Sequence, residues 1–101
     1  MSTFILSPLA EEDLNDIWFY FAKYDEENAT RFLLEFLGDF WMLAENPFAG
    51  RNRSDVRDNL RYFPKDDYCI FYYPDLRRVQ IMRILHSSRD IETIFDKGIS
   101  N

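Results

Sequence analysis

The sequence predicts a small α+β fold in one domain that spans residues 1–101. Two long stretches with helical spacing of apolar residues come first, and three short runs rich in aromatic and β-branched residues follow them. A chain of this length can bury one core but not two. The expected order is an N-terminal strand, an antiparallel helical hairpin, a three-stranded antiparallel meander and a short C-terminal helix.

The first strand is expected at residues 3–6, where the sequence reads TFIL. Ser7 then provides an N-cap, and Pro8 takes the first helical position, where its missing N–H removes no helical hydrogen bond. Apolar residues recur at steps of three and four after it, which predicts a helix over residues 8 to about 23. That apolar stripe comprises Ala10, Leu14, Ile17, Trp18 and Phe21.

The second helix is expected over residues 27 to 45, where the helical period is clearest. Asn46-Pro47 ends it, because a residue before proline is pushed out of the helical region. The short YDEEN connection between the two helices predicts an antiparallel hairpin. The stripe of the second helix comprises Ala29, Phe32, Leu33, Phe36, Leu37, Phe40, Leu43 and Ala44.

A polar loop, PFAGRNRSD, precedes three expected strands at about 56–63, at 68–73 and at 79–85. The linkers between them, residues 64–67 and 74–75, have hairpin length and turn-forming residues, which predicts an antiparallel meander. Ser87 or Ser88 is expected to cap a final helix. That helix contains Asp90, Ile91, Glu92 and Ile94.

Composition narrows the class of protein. The net charge is −6 and the pI about 4.6, so the molecule as a whole repels a phosphodiester backbone. Residues 1–50 carry two basic and ten acidic side chains, whereas residues 51–101 carry ten and eight, so the cationic half is the expected active half. Cys69 is the only cysteine, and no apolar run reaches membrane-spanning length. We expect a cytoplasmic protein without cofactor, metal or membrane partner.

Arg83 is the first candidate functional residue. In a regular strand it is in phase with Val79, Ile81 and Leu85. An arginine among aliphatic side chains is either paired with a carboxylate or presented to an anionic partner. Both interpretations of Arg83 stay open.

His86 is the only histidine, and it is either a general base or a hydrogen-bonding residue at a strand end. Arg57 and Arg61 would point the same way within a strand, which makes a guanidinium pair for phosphate or carboxylate, or else part of a solvated surface. Glu12 and Asp16 share a helix face, but carboxylates at a helix start usually complement its dipole and are not a metal site.

The predicted apolar surface exceeds what one core would use. Phe19 and Tyr20 lie off the stripe of the first helix, and the strand at 68–73 is apolar on both faces. One helical hairpin covers one face of a sheet, so the second face needs another cover. Because a large exposed apolar surface usually marks a binding site, we expect another protein there.

Four segments in order resemble the ParE branch of the RelE/ParE superfamily of bacterial toxins: FILSPLAEEDLNDIW, ENPFAG, LRYFPKDDYCIFYY and VQIMRILHSSRD. The resemblance implies a helical hairpin packed on an antiparallel sheet, in the toxin of a toxin–antitoxin pair. It also implies a ParD-like antitoxin whose C-terminal segment wraps the toxin. ParE-type members are understood to inhibit DNA gyrase, whereas RelE-type relatives cleave mRNA on the ribosome.

The residues favour the gyrase branch. RelE-type enzymes commonly use basic residues and a tyrosine near the C-terminus, and here no tyrosine follows Tyr73. Endonuclease members also often place a basic residue beside the first aromatic residue of this strand. Here Tyr68 is followed by Cys69. We therefore expect a toxin that acts by binding protein, not nucleic acid. The alternatives are a ribosome-dependent mRNA endonuclease and, given the acidity, a non-toxic interaction module.

The candidate residues fall into three sets. Those expected to bind the target are Arg57, Arg61, Arg83, His86 and Arg89. Those expected to bind the antitoxin are Trp18, Phe21, Phe71 and Tyr73. If the protein were an endonuclease, its catalytic residues would be Arg61, Arg83, His86 and Arg89.

Overall fold

A computed structural model describes residues 2–98 and confirms the predicted α+β architecture. The N-terminal strand, the two helices, the meander and the short last helix occur in the expected order. The elements are β1 (Thr3–Leu6), α1 (Pro8–Ala22), α2 (Glu26–Glu45), β2 (Arg51–Asn52), β3 (Arg61–Lys65), β4 (Tyr68–Tyr73), β5 (Arg78–His86) and α3 (Ile91–Gly98).

The strands form one sheet in the order β1-β5-β4-β3-β2. Strands β3, β4 and β5 make the predicted antiparallel meander, and β1 adds to it in parallel with β5. The two-residue strand β2, which the sequence did not reveal, pairs antiparallel with the start of β3. A parallel neighbour requires a long connection, and here the helical hairpin carries the chain from β1 to β2 at the opposite edge before the meander returns to β5.

The helical hairpin covers one face of the sheet. The Ser7 hydroxyl accepts the N–H of Ala10 at 3.0 Å at the start of α1, and Asp25 accepts the N–H of Asn28 at 3.2 Å at the start of α2. The apolar stripes of both helices meet the sheet in a first core cluster. Its buried members are Ala10, Leu14, Ile17, Phe36, Phe40, Leu43, Ile70, Tyr72, Val79, Ile81 and Ile84.

The second face of the sheet is also covered by the chain itself, so the expectation of a bare face there is wrong. Phe71 of β4 is only 2% exposed, and its ring meets the ring of Phe95 from α3 at 5.3 Å. Leu60 and Leu85 complete a second buried cluster with these two aromatics. The amphipathic helix α3 and the loop before β3 provide the cover, because their apolar residues fill that face.

Three predicted boundaries are also wrong, and local hydrogen bonding explains them. Strand β3 begins at Arg61, since turns occupy the preceding loop, and it continues through Pro64 and Lys65. Proline is tolerated there because β2 is too short to pair with that part of β3. The final helix is capped by Asp90, not by a serine: its carboxylate accepts the N–H of Thr93 at 3.3 Å and the hydroxyl at 2.7 Å.

A bulge in β5 changes which residues share a face. Phe71 pairs with Arg83 but Tyr72 pairs with Ile81, so one extra residue, Met82, interrupts the ladder. As a result Ile81 lies in the first cluster and Leu85 in the second. The predicted common phase of Arg83 therefore fails for Val79 and Ile81 but holds for Leu85, since the strand partner of Arg83, Phe71, lies in the second cluster with Leu85.

Candidate partner-binding surfaces

Arg83 belongs to a structural ion pair that ties α1 to β5. Its Nε and Nη2 donate to the two carboxylate oxygens of Asp13 at 2.8 and 2.9 Å, and the side chains are only 13% and 11% exposed. Asp13 also accepts the N–H of Ile84 at 2.9 Å, and the Ser7 hydroxyl donates to the Met82 carbonyl at 2.7 Å. Residues at the start of α1 thus provide hydrogen-bond partners for the backbone of β5 in the part that extends past the end of β1. The bonds to Asp13 raise the pKa of Arg83.

Arg57 and Arg61 do not form the expected guanidinium pair. Arg57 lies in the loop before β3, and its Nη2 donates to the carbonyl of Phe95 at 2.6 Å. Arg61 is at the start of β3, where it bonds to the loop that follows α2. The prediction failed because β3 starts four residues later than Arg57.

His86 ends β5 opposite Tyr68, with the two rings edge to face at 5.3 Å. Its Nδ1 accepts the N–H of Ser88 at 3.1 Å and lies 2.8 Å from the Ser88 hydroxyl. A neutral imidazole in this position carries its proton on Nε2. Burial raises the pKa of the Tyr68 phenol, and the neighbouring Tyr20 and Asp67 raise it further.

Three adjoining depressions of about 250, 360 and 230 Å³ run across the end of the molecule where the helices turn. Tyr68 lines all three, while Tyr20 and His86 line two. We call this surface the acidic groove, since carboxylates outnumber guanidiniums along it. Its ionised residues are Asp13, Asp16, Glu35, Asp66, Asp67, Arg31 and Arg89.

A fixed loop, residues 46–50, lies at the other end of α2, and we call it the Phe48 loop. The Tyr72 hydroxyl donates to the carbonyl of Pro47 and accepts the N–H of Gly50, both at 2.8 Å. A Cβ on Gly50 would lie 2.5 Å from that hydroxyl oxygen, so the close approach requires glycine. The Phe48 side chain nevertheless stays 61% exposed.

The Arg61 guanidinium fixes the Phe48 loop from the side of the sheet. Its Nε donates to the carbonyl of Gly50 at 3.2 Å, and its Nη2 to that of Phe48 at 3.4 Å. The guanidinium carbon also lies 5.3 Å from the centre of the Phe48 ring, which is cation–π range. The side chain of Phe48 is therefore exposed to solvent, while hydrogen bonds hold the backbone that carries it.

The residues expected to bind the antitoxin occupy three different environments. Trp18 is half-buried between the helices, and its Nε1 donates to the Thr30 hydroxyl at 3.1 Å. Phe21 packs on Phe32 and lines the acidic groove. Tyr73 packs against the second cluster, and Phe71 lies inside it. A partner could therefore reach Phe71 only by displacing α3, whereas Phe21 is open to the groove.

The four residues proposed as an alternative catalytic set do not come together. Arg61 pairs with Tyr72, whereas His86 pairs with Tyr68 at the other end of β4. Arg83 is engaged by Asp13, and only His86 and Arg89 line the same depression. Sequence reasoning overlooked Tyr68 beside His86, because strand pairing brings together residues that are far apart in sequence. The exposed anchor Phe48 was also missed, and only the proline and glycine around it gave a signal.

Residues 2–98 contain neither a metal-binding cluster nor a membrane-spanning helix. No group of three or more histidine, cysteine or acidic side chains there is arranged to hold a metal ion. None of the described helices is both long and apolar enough to cross a bilayer.

Comparison with known proteins identifies the family. The model of the ParE toxin of type II toxin–antitoxin systems (parDE) matches residues 4–91. The chain belongs to the ParE toxin family. This ParE-family chain is 33% identical over 89 residues to toxin ParE1 of Caulobacter vibrioides, covering 87% of this chain and 92% of that protein. It is 26% identical to toxin ParE1 of Mycobacterium tuberculosis over 93 residues, with 90% and 95% covered.

A solved structure supports the fold of this ParE-family chain. A chain in the structure of a chromosomal ParDE toxin–antitoxin system from P. aeruginosa superimposes with a TM-score of 0.71. The match covers 85% of this chain and 95% of that one, at 18% sequence identity. The hairpin-on-sheet architecture described above is therefore shared with that chain.

Proposed function

We propose that this ParE-family toxin acts by binding DNA gyrase and that a ParD-like antitoxin neutralises it. The family match over residues 4–91 carries the proposal, since the ParE resemblance implies gyrase as the target. The placement of Arg61, far from His86 along the sheet, supports a binding mechanism over a ribonuclease site. Ribose-directed RNA cleavage needs a base, an acid and cations around one phosphate.

The acidic groove is the proposed antitoxin site. It offers aromatic walls from Tyr20, Phe21 and Tyr68 next to an excess of carboxylates. Tyrosine rings and carboxylates together attract lysine and arginine side chains through cation–π contacts and ion pairs. A basic amphipathic segment of the antitoxin has the complementary chemistry.

The test uses purified toxin freed from its antitoxin. Supercoiling by gyrase should be blocked at toxin concentrations that leave ribosome-bound mRNA intact, and added antitoxin should restore supercoiling. Unaffected supercoiling at high toxin excess would count against gyrase as the target. An adjacent reading frame for a ribbon-helix-helix protein with an amphipathic tail would supply the antitoxin for the assay.

A ribosome-dependent endonuclease is the second candidate function. The observation in its favour is that His86, Tyr68 and Arg89 line one depression of about 250 Å³. Imidazole and phenol groups can exchange protons with a ribose hydroxyl and its leaving oxygen. Primer extension after induction would show cuts within translated codons, and these would disappear in His86→Ala. Uncut messages during growth arrest would remove this candidate.

A further inference from the structure

The Phe48 loop carries an unused binding feature at the end of the molecule opposite the acidic groove. We infer that Phe48, fixed by Arg61 and Tyr72, is the anchor that this toxin inserts into an apolar pocket with an acidic rim on its target protein. The inference rests on the proposed toxin function and adds to it the surface that faces the target.

The first argument is rigidity. Most exposed aromatic side chains lose conformational freedom when a partner buries them, which weakens binding. Here both ends of the turn are already bonded to the Tyr72 hydroxyl at 2.8 Å, and Arg61 bonds to the carbonyls of Gly50 and Phe48. The backbone of the loop is therefore held by hydrogen bonds before any partner arrives.

The second argument is that most of this aromatic ring stays in water. Phe48 is 61% exposed although Tyr72, four strand positions from the groove end of β4, is fully buried beneath the same loop. A ring that stays mostly in water adds little apolar burial to folding, and within the chain it lies against the Arg61 guanidinium. Rigid aromatic side chains next to arginine are the usual composition of interface hot spots.

The third argument is charge. Residues 46–54 contain no carboxylate, the Arg61 guanidinium lies against the Phe48 ring, and Arg51 is exposed three positions after Phe48. Of the two carboxylates that border this segment, Glu45 and Asp55, Asp55 is paired with Arg53. In contrast, five acidic side chains and two arginines line the acidic groove. Arginines beside an apolar anchor favour an acidic partner surface, and they disfavour the basic segment proposed for the groove.

The test compares Phe48→Ala with Phe19→Ala, which removes a ring of similar exposure, 65%, from the outer face of α1. Phe48→Ala should raise the toxin concentration for half-inhibition of gyrase supercoiling by about tenfold or more. Phe19→Ala should change it less than about twofold. Both variants should keep the wild-type melting temperature, because neither ring is in the core. Arg51→Glu should weaken inhibition with Phe48 intact.

The outcomes separate the inference from the proposed function. If Phe48→Ala inhibits gyrase as wild type does, the inference is wrong while the gyrase proposal stands. If wild type leaves gyrase active but arrests growth, the same variants are compared for growth arrest at equal protein levels. Arrest lost in Phe48→Ala alone would then support the loop as the surface for another target, and arrest retained would overturn it. Loss of antitoxin binding by Phe48→Ala, or wild type without any toxicity, would overturn it as well.

Discussion

The two ends of α2 present opposite chemistry to a partner. Its N-terminal end borders the acidic groove, where Tyr20 and Tyr68 stand among carboxylates, and its C-terminal end leads into the Phe48 loop beside Arg51 and Arg61. Twenty helical residues separate these ends by about 30 Å. A small toxin can therefore offer different surfaces to an antitoxin and to a target. The charge of each surface then favours one partner over the other.

The two ends also differ in how they are built. The groove is a gap between elements, lined by side chains from α1, α2, β4, β5 and the turns beyond β3 and β5. The loop is a projection whose backbone is bonded to Tyr72 and Arg61. We expect substitutions beneath each surface to alter stability, and substitutions on each surface to alter binding to one partner only.

The largest effect is expected from Arg83→Ala, which tests whether Arg83 stabilises the fold or contacts a partner. The substitution leaves the Asp13 carboxylate largely buried without its partner, and such a loss destabilises a protein by about 3 kcal/mol. The melting temperature should fall accordingly, while Glu11→Gln, a charge change at an exposed position of the same helix, should have an effect within about 0.5 kcal/mol.

A different result for Arg83→Ala would contradict the proposal that the cations that contact the target lie at the Phe48 end of α2. Unchanged melting together with lost gyrase inhibition would make Arg83 a target contact, as one of the two sequence-based interpretations had it. The acidic end would then carry a cation of its own for the target, and charge would no longer separate the partners.

Tyr72→Phe is expected to come next, because it loosens the Phe48 loop without touching its exposed surface. The change leaves the N–H of Gly50 and the carbonyl of Pro47 buried without their partner. Unsatisfied buried groups of this kind cost about 2 kcal/mol together. Denaturant unfolding measures that loss, and Tyr62→Phe on the adjacent strand serves as the control. Gyrase inhibition should weaken in Tyr72→Phe, and full inhibition by a loosened loop would refute the role of rigidity.

The sequence predicted the scaffold of both ends but not their surfaces. Helical and strand periodicity located α1, α2, β4 and β5 to within one or two residues, because apolar spacing directly reflects one buried face. The bulge at Met82 and the cap at Asp90 were missed, since one extra residue or a cap two positions away leaves the apolar pattern almost unchanged. Whether Phe71 is covered depended on where α3 docks, which no local pattern encodes.

Candidate residues were harder to predict for the same reason. Arg83 could be paired or free until its neighbour Asp13, seventy positions earlier, was placed beside it. Tyr68 reached His86 only through the β4–β5 register. The excess apolar surface was predicted correctly at Phe19 and Tyr20 on α1, both of which are exposed, but wrongly on the second sheet face, which α3 covers.

A third prediction concerns the groove and compares two adjacent residues of α1. Tyr20→Ala removes a wall of two of its depressions and should weaken antitoxin binding about tenfold, or about 1.4 kcal/mol. Phe19→Ala should leave that affinity within about twofold, and neither change should alter gyrase inhibition. Titration calorimetry with the purified antitoxin measures both. Equal losses for the two variants would mean that the antitoxin binds the whole outer face of α1 and not the groove.

The smallest effect is expected at Asp39, which lies between the two ends of α2. Its Oδ2 is buried without a hydrogen bond, and burial raises the pKa of Asp39 above its ordinary 3.8 despite the attraction of Lys65. A raised folded-state pKa means that Asp39 favours folding most at acid pH, and that this contribution is lost as the pH rises through the folded-state pKa. Asp39→Asn should therefore stabilise the protein at pH 7 by less than about 1 kcal/mol.

The pH profile of that variant separates burial from attraction. The gain of Asp39→Asn should disappear near pH 3, where the aspartate is protonated in both states. Glu35→Gln on the same helix should instead destabilise slightly at pH 7, since Glu35 bonds to Lys65 at 2.6 Å. Melting curves at the two pH values measure both variants. If Asp39→Asn were less stable than wild type at pH 7, the attraction of the Asp39 carboxylate to Lys65 would outweigh the cost of burying it. The charge of Asp39 would then stabilise the folded state.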